Sequence, residues 1–389
     1  MKLFQKVDKD DLYFNTEIRE CRGVLSEIHI ADIHFGVIDP KIEYEILKRE
    51  VIDELHKIPI LDIIFINGDL FERKYTTDSE PVLYASMFIA DIRLLAIKKN
   101  ATVIILAGTE YHDAGQLNLF YHYLEDPDFD IRIVENIRFE YAKGARILCI
   151  PELYGIDESI YQKFLFESGM YDQCVMHGTI EGAVYNNIVN KRGRLFGIDD
   201  FENCKGPIIA GHVHTPGCFN SHFYYSGTPI RYKFGEEEDK GFLLVYYNLD
   251  TRDYYTRLIP VVSFRYDTVN IDELISQDPK DVIAYIDKLR AEGIDYIRIT
   301  FRKEVPSENL AVIREYYKNN GRVRFKLSEE KQTNIASTND SNIDDYSKYA
   351  YLFDETISPF DKLAYYINER ENCMFTTGDE IKRIIEEDD

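Results

Sequence analysis

The chain has 389 residues, a formal charge of −23, an ordinary apolar content of 45% and six cysteines, enough to bury a sizeable core as one large domain with smaller appendages. The acidic balance argues against a simple electrostatic DNA clamp, because phosphate binding leaves a basic footprint. No run of about 18 apolar residues is present to span a membrane, Met1 to Lys6 lack the apolar core of a signal peptide, and Cys21, Cys149, Cys174, Cys204, Cys218 and Cys373 show no paired spacing, as expected of reduced thiols in a cytoplasmic protein.

In chain order, short apolar runs that predict buried strands are each followed at once by polar residues of metal-ligand type. Val24 to Ile30 leads to Asp32-Ile33-His34, and Leu61 to Ile66 leads to Asn67-Gly68-Asp69. The segment Glu80 to Lys99 is a predicted helix whose apolar stripe suits core packing or the pairing of two copies equally well. Ala101 to Ala107 precedes Gly108-Thr109-Glu110-Tyr111-His112-Asp113, Cys174 to Met176 precedes His177-Gly178, and Ile208 to Ala210 precedes Gly211-His212-Val213-His214. In an open α/β sheet the loops at the carboxyl ends of strands converge on one crevice, so these residues can meet there.

Beyond them, Lys191-Arg192-Gly193-Arg194 and the pair Arg231 and Lys233 are candidate contacts to a phosphate backbone, although such clusters are most often solvated turns. Lys240 to Tyr247 predicts a strand returning to the sheet, and Thr256 to Val262 a link to a second unit. Residues 263–328 then alternate in type, with helical periodicity over Pro279 to Ala291 and Asn309 to Lys318 and strand patterns over Asp295 to Phe301 and Val323 to Leu327, as in a small α+β module. Residues 329–346 are polar and predict a flexible linker. Residues 347–389 regain apolar periodicity in short helical segments, the pattern of a tail that docks on its own domain or on a partner.

The chemistry accounts for the residue types. A pair of divalent ions roughly 3.5–4 Å apart needs an anionic oxygen donor that bridges both, for which Asp69 is the candidate. Imidazole nitrogens favour transition metals over Mg²⁺ or Ca²⁺. Such a pair polarises a bridging water to hydroxide near neutral pH, ready for in-line attack on phosphorus. A lone histidine is more often structural, and His29, His56, His122 and His222 fall outside the series as ordinary core or surface residues. Five strand-end signals in one order carry far more weight than any single match.

This order of Asp-x-His, Gly-Asp, a third Gly-containing motif, His and Gly-His-x-His resembles the calcineurin-like metallophosphoesterase superfamily. Asp32 to Gly36, Gly68 to Phe71 and Tyr225-Ser226-Gly227-Thr228-Pro229 leading to Phe234-Gly235-Glu236 and Lys240-Gly241-Phe242 narrow the resemblance to the nuclease subunits of SbcCD-type double-strand-break repair complexes, in particular the phage recombination endonuclease subunits; it covers about residues 24 to 250. The resemblance implies a two-sheet αββα sandwich over residues 1–262, a DNA-contacting cap over 263–328, and a helical tail over 347–389 that grips an SbcC-like ABC-type ATPase. It further implies that Asp32, His34 and His214 hold one ion, that His177 and His212 hold the other, and that Asp69 bridges.

The third motif departs from the family's Asn-His. Anchored on Gly108, Thr109 and Glu110 take those places; anchored on His112-Asp113, Tyr111 and His112 do. Glu110 or Thr109 is expected near the metal, and His112 as the general acid, its ring oriented by Asp113 or a neighbouring carboxylate. The expected function is therefore a Mn²⁺-dependent DNA exo- and endonuclease acting in recombination, repair or replication, in a homodimer within a heterotetramer. The alternatives are a phosphoesterase for small diesters or phosphoproteins and a non-catalytic scaffold.

Overall fold

The computed structural model describes residues 23–327 apart from 114, 182–192, 220–221, 237 and 303–304. The sequence expectations for Lys191, Arg192, the linker and the C-terminal tail lie outside the described residues. The protein is a mixed α/β structure whose larger body is built on two six-stranded sheets.

The first sheet grows from four parallel strands, β1 (Val24–Ile30), β2 (Ile63–Asn67), β3 (Thr102–Leu106) and β4 (Ile131–Val134). Strands covered on both faces require nearly continuous apolar runs, and Ile63-Ile64-Phe65-Ile66 is one. Between them, α1 (Pro40–Leu47) starts on Asp39, whose carboxylate accepts from the Lys41 and Ile42 amides, with Pro40 at the first helical position where its missing N–H costs nothing. A π-helical turn, Lys48–Ile52, and a last helical turn, Asp53–Lys57, extend it. The long α2 (Glu80–Lys99) ends on Asn100 in the left-handed conformation.

The second sheet contains β5 (Arg138–Ala142), β6 (Ala145–Ile150), β7 (Gln173–His177), β10 (Ile208–Gly211), β11 (Gly217–Cys218) and β12 (Phe223–Tyr225), in the order β11-β12-β10-β7-β6-β5. Strands β6, β7, β10 and β12 are parallel, with antiparallel edges. A two-residue pair, β8 (Thr179–Ile180) and β9 (Leu195–Phe196), lies apart from it. The α3 turn (Glu158–Gln162) follows β6. The chain then returns to the first sheet through β13 (Gly241–Asn248), antiparallel to β1, and β14 (Tyr254–Pro260). Thr256 to Pro260, expected as a link, thus belong to an edge strand.

Side-chain alternation decides what each face covers. Ile64 and Ile66 join Leu47, Phe88 and Ile92 of the helices, whereas Ile63 and Phe65 join Ile147, Cys149 and Val175 of the second sheet. Leu148, Ile150, Cys174 and Met176 face outward onto Tyr161 and Leu165. The layers therefore run helix, sheet, sheet, helix. His29 is buried in this body, stacked on Phe65 with ring centroids 4.4 Å apart and 3.3 Å from the Asn67 amide, in keeping with a core role.

Residues 266–327 form a second packing unit. Strands β15 (Tyr266–Asn270), β16 (Tyr296–Phe301) and β17 (Val323–Leu327) alternate with α4 (Pro279–Ala291) and α5 (Ser307–Tyr317). The three strands are parallel, so the unit is a βαβαβ crossover rather than the α+β arrangement expected. Its core is Val269, Ile286, Ile297, Ile299 and Ile313 with their neighbours. It meets the larger body through aromatic rings: Phe234 packs on Tyr266 at 5.0 Å, Phe264 packs on Tyr296 at 5.3 Å, and the Tyr266 hydroxyl donates to the Tyr232 carbonyl at 3.0 Å. Among the described residues no helix is long and apolar enough to cross a membrane.

Candidate metal centre

Backbone hydrogen bonds tie the strand-end loops into one crevice. Asp32 N donates to Gly68 O at 3.0 Å, and His34 N to Asp69 O at 2.9 Å, so the loops after β1 and β2 run side by side. The loop after β3 is fastened to them by buried Asp113, whose carboxylate accepts from Leu70 N, Phe71 N and Gly108 N at 3.0, 3.2 and 2.9 Å. Across the two sheets, His212 N donates to the Asp32 carboxylate at 3.0 Å, and His177 Nδ1 sits 2.7 Å from Asn67 O. Gly108 and Gly211 permit this approach: a Cβ on Gly108 would lie 2.2 Å from Asp69 N, and one on Gly211 2.6 Å from His177 Nδ1.

Asp32, His34, Asp69 and His212 have φ of 51°, 54°, 52° and 86°, and make up four of the seven non-glycine residues with positive φ among those described. Each such conformation costs on the order of 1–3 kcal/mol, and persists where surrounding structure dictates it. Strain is thus concentrated on the strand-end residues that turn into the crevice.

The side chains meet in overlapping groups, each with its ligand atoms within 4.8 Å of one another: Asp32, His34 and His214; Asp32, Asp69 and His177; Glu152, His177 and His212; and His34, Glu72 and His112. Asp69 lies between the sheets' contributions, with Oδ2 3.3 Å from His177 Nε2 and 3.7 Å from His34 Nε2. The Nε2 atoms of His34 and His214 point at each other at 3.1 Å. All six residues expected as ligands from the strand ends, Asp32, His34, Asp69, His177, His212 and His214, are therefore brought together.

Burial alone would push the carboxyls up and the imidazoles down. At Asp69 that effect is outweighed by the charge and hydrogen bond of His177 and by the charges of His34 and His112, which hold the carboxyl well below its usual range. Conversely, burial of His177 is outweighed by Asp69, Asp32 and Glu152, which hold its imidazole well above its usual value. At Glu152 burial is likewise outweighed, first by the hydrogen bond to His212, and its carboxyl is lowered. At His214 burial prevails and lowers the imidazole. At Asp69 and Glu152 the neighbouring imidazoles thus favour the ionised carboxylate.

The donor set fits metal. Three buried carboxylates and four imidazoles share one space, and His177 Nε2, buried and 3.3 Å from Asp69 Oδ2, points into it while its Nδ1 is used on Asn67 O. These buried groups could hold a metal ion.

The third motif resolves in an unexpected way. Thr109 occupies the place beside Asp69, its amide donating to Oδ1 at 2.6 Å and its Oγ1 to Oδ2 at 3.1 Å. His112 also reaches the centre, its Nε2 4.0 Å from Asp69 Oδ2 and its ring edge-on to His34 at 4.7 Å. Both residues reach the centre because Glu110–Asp113 form a helical turn between them. That turn carries Glu110 outward, where it is exposed and outside every ligand group, so the expected Glu110 ligand is corrected. Nor does Asp113 orient His112: its carboxylate is committed to backbone amides, and His112 Nδ1 instead contacts the Glu72 carbonyl.

Glu152 is the residue that sequence reasoning missed. It follows β6 as Ile150-Pro151-Glu152, the same apolar-run-then-polar signal, but without a flanking glycine or histidine to draw attention. Glu236, in the sequence only a member of the Phe234-Gly235-Glu236 motif, has a place beside the centre: its carboxylate lies 3.6 Å from His214 Nδ1. Buried Lys240 donates to His214 O at 2.9 Å, so this segment braces the last ligand.

The basic residues divide. Arg194, expected to face phosphates, is committed to Glu158 and Asp200 at 2.8 and 3.0 Å and lies against the Tyr161 and Phe196 rings. Arg231 donates through Nη2 to the Glu238 carbonyl at 3.0 Å. Lys233 is half-exposed, 4.0 Å from Glu236.

No family model and no curated protein matches the chain. A solved structure aligns with it at a TM-score of 0.36 and 11% identity, over 61% of this chain and 99% of the other, a likeness too slight to carry any argument about fold or function.

Proposed function

We propose that this chain is a metal-dependent DNA nuclease of the calcineurin-like metallophosphoesterase superfamily, the nuclease subunit of an SbcCD-like recombination and repair complex. The observation that carries the reading is the convergence of Asp32, His34, Asp69, His177, His212 and His214, from four separate strand ends, on one buried space. The helix, sheet, sheet, helix layering supports the αββα sandwich of that superfamily, and the quoted motifs support its SbcCD-type branch.

On this reading Asp32, His34 and His214 would hold one divalent ion and His177 and His212 the other, with Asp69 available to both and Mn²⁺ as the metal. Bound ions supply a polarised water and positive charge for the phosphoryl oxygens. The protein's own part is orientation. Asn67 O fixes the His177 tautomer, and Thr109 steadies both Asp69 oxygens. His112, with Nδ1 held at the Glu72 carbonyl, turns Nε2 into the crevice, where a protonated ring donates to the departing oxygen.

The 266–327 unit sits against Tyr232 and Phe234, in the segment that reaches Glu236 and His214, which suits a cap that receives duplex beside the centre. Residues 347–389 are proposed to dock an SbcC-like ABC-type ATPase, and α2, with Leu83, Met87 and Leu94 exposed, to pair two copies. The site of action is the cytoplasm, of the host if the chain is phage-encoded.

The charge of −23 and the internal commitment of Arg194 favour a second reading, a phosphodiesterase for small diesters. Both are tested by incubating the full chain and Asp69→Asn with Mn²⁺ and end-labelled linear or hairpin duplex, with and without the ATPase, beside a small aryl diester. Duplex cleavage abolished by Asp69→Asn is expected. Diester hydrolysis with intact duplex under all conditions would establish the second reading instead.

A further inference from the structure

Glu152 is nearly inaccessible and stands beside the two histidines of the second sheet. Its Oε2 lies 3.1 Å from His212 Nδ1, 3.7 Å from His177 Nε2 and 3.3 Å from Thr109 Oγ1, while its Oε1 accepts from the Tyr154 hydroxyl at 3.0 Å. The three groups Glu152, His177 and His212 place their ligand atoms within 4.8 Å of one another. His177 Nε2, buried and 3.3 Å from Asp69 Oδ2, points into the same space. Thr109 stands where the resemblance leads one to expect an asparagine ligand, and its short side chain carries only a weak hydroxyl donor.

We propose that Glu152 is the anionic ligand of the His177–His212 metal position, in place of that neutral amide, with Thr109 as the hydrogen-bonded spacer that sets Glu152 against Asp69. Each ion then receives two imidazoles and two carboxylates: His34, His214, Asp32 and Asp69 on one side, His177, His212, Glu152 and the shared Asp69 on the other. A full negative charge holds a divalent ion more strongly than an amide dipole does. The two positions are thereby matched in charge, and fill over a similar range of Mn²⁺ concentration rather than one far after the other. The inference rests on the two-ion reading of the centre, but not on DNA being the substrate.

The test is Mn²⁺ titration of the metal-free full chain by calorimetry, with metal counted by elemental analysis after desalting. Wild type is expected to bind two equivalents of similar affinity. Glu152→Gln, which keeps shape and removes charge, should retain one and bind the second about 100-fold or more weaker, since even outer-sphere substitutions cost roughly 10–100-fold. Glu110→Gln should match wild type. Two unweakened equivalents in Glu152→Gln, or loss of one in Glu110→Gln, overturns the assignment. Should Glu152→Gln fail to fold, anomalous scattering from Mn²⁺-soaked wild-type crystals decides the matter: an ion bonded to Glu152 supports it, and an ion at His177 and His212 with Glu152 turned away refutes it. Two bound ions in a protein that leaves DNA intact would defeat the nuclease reading alone.

Discussion

Replacing Gly108 by alanine probes how tightly the loops after β2 and β3 are joined at the centre. The new Cβ would lie 2.2 Å from both Asp69 N and Asp69 Oδ1 and 2.9 Å from Asp69 Cγ. Unstrained contacts to carbon begin near about 3.5 Å, so the gap has to widen by roughly 1 Å. The obstacle includes backbone, which no rotamer change removes. Movement of Gly108 also disturbs its 2.9 Å bond to Asp113, which in turn holds Leu70 and Phe71. Overpacking of this kind costs about 1–3 kcal/mol, and a displacement of about 1 Å at a reacting centre costs about 10²-fold in rate. Gly108→Ala is therefore expected to lose about 1–3 kcal/mol in denaturant unfolding, to bind Mn²⁺ more weakly, and to cleave DNA at least about 100-fold more slowly. Gly321→Ala, whose Cβ meets nothing within 4 Å, is the control and should stay within about 0.5 kcal/mol of wild type. Wild-type metal affinity and cleavage in Gly108→Ala would refute the reasoning that these loops are packed to contact around Asp69.

Further expectations concern residues with separable roles. His112→Gln should bind Mn²⁺ as wild type does but cleave about 10²–10⁴-fold more slowly, as loss of a proton donor does; an equal loss of metal affinity would make His112 a ligand instead. Burial pushes the Glu43 carboxyl well above its usual range, against the lowering effect of its hydrogen bonds from Gly36 N and Tyr232 Oη. A carboxyl raised by folding contributes stability that is complete below its unfolded value and lost as pH rises through its folded one, at about 1.4 kcal/mol for each tenfold difference in proton affinity between the folded and unfolded chain. Glu43→Gln should thus be the more stable protein at pH 8 and lose that advantage near pH 4; a gap that does not change with pH contradicts this. Arg194→Met should lower stability, because it removes the ion pairs to Glu158 and Asp200, yet leave DNA affinity unchanged in a filter-binding or anisotropy assay. A drop in DNA affinity without loss of stability would restore Arg194 to the phosphate-contact role.

The ligand series was legible because of how α/β sheets bury their strands. A strand covered on both faces is built mainly on an apolar run, so the polar residues just beyond the run mark the crevice edge, as at Asp69, His177 and His212. Periodicity also located α2 and α4 to their observed ends. What the sequence concealed were pairings across distance. The partners of Arg194 include Glu158, 36 residues away, so its charge looked available when it was not. Likewise Tyr254–Pro260 has half-buried edge-strand character, too weak in pattern to distinguish from a connector. Glu110 was misplaced because a carboxylate near a metal motif is a strong ligand by chemistry, whereas its direction depends on a helical turn that the motif spacing leaves undetermined. Glu152 escaped for the opposite reason: its strand-end position was ordinary, and only the fold brings it to His177 and His212.

The central claim is that side chains from both sheets close around two cations that share Asp69. Its most direct test is an anomalous difference map from crystals of the full chain grown with Mn²⁺. The account predicts two peaks roughly 3.5–4 Å apart on either side of the Asp69 carboxylate, one bonded to Asp32, His34 and His214 and the other to His177 and His212. A map with no peak there, or with a single ion that leaves either group of ligands bare, would contradict it.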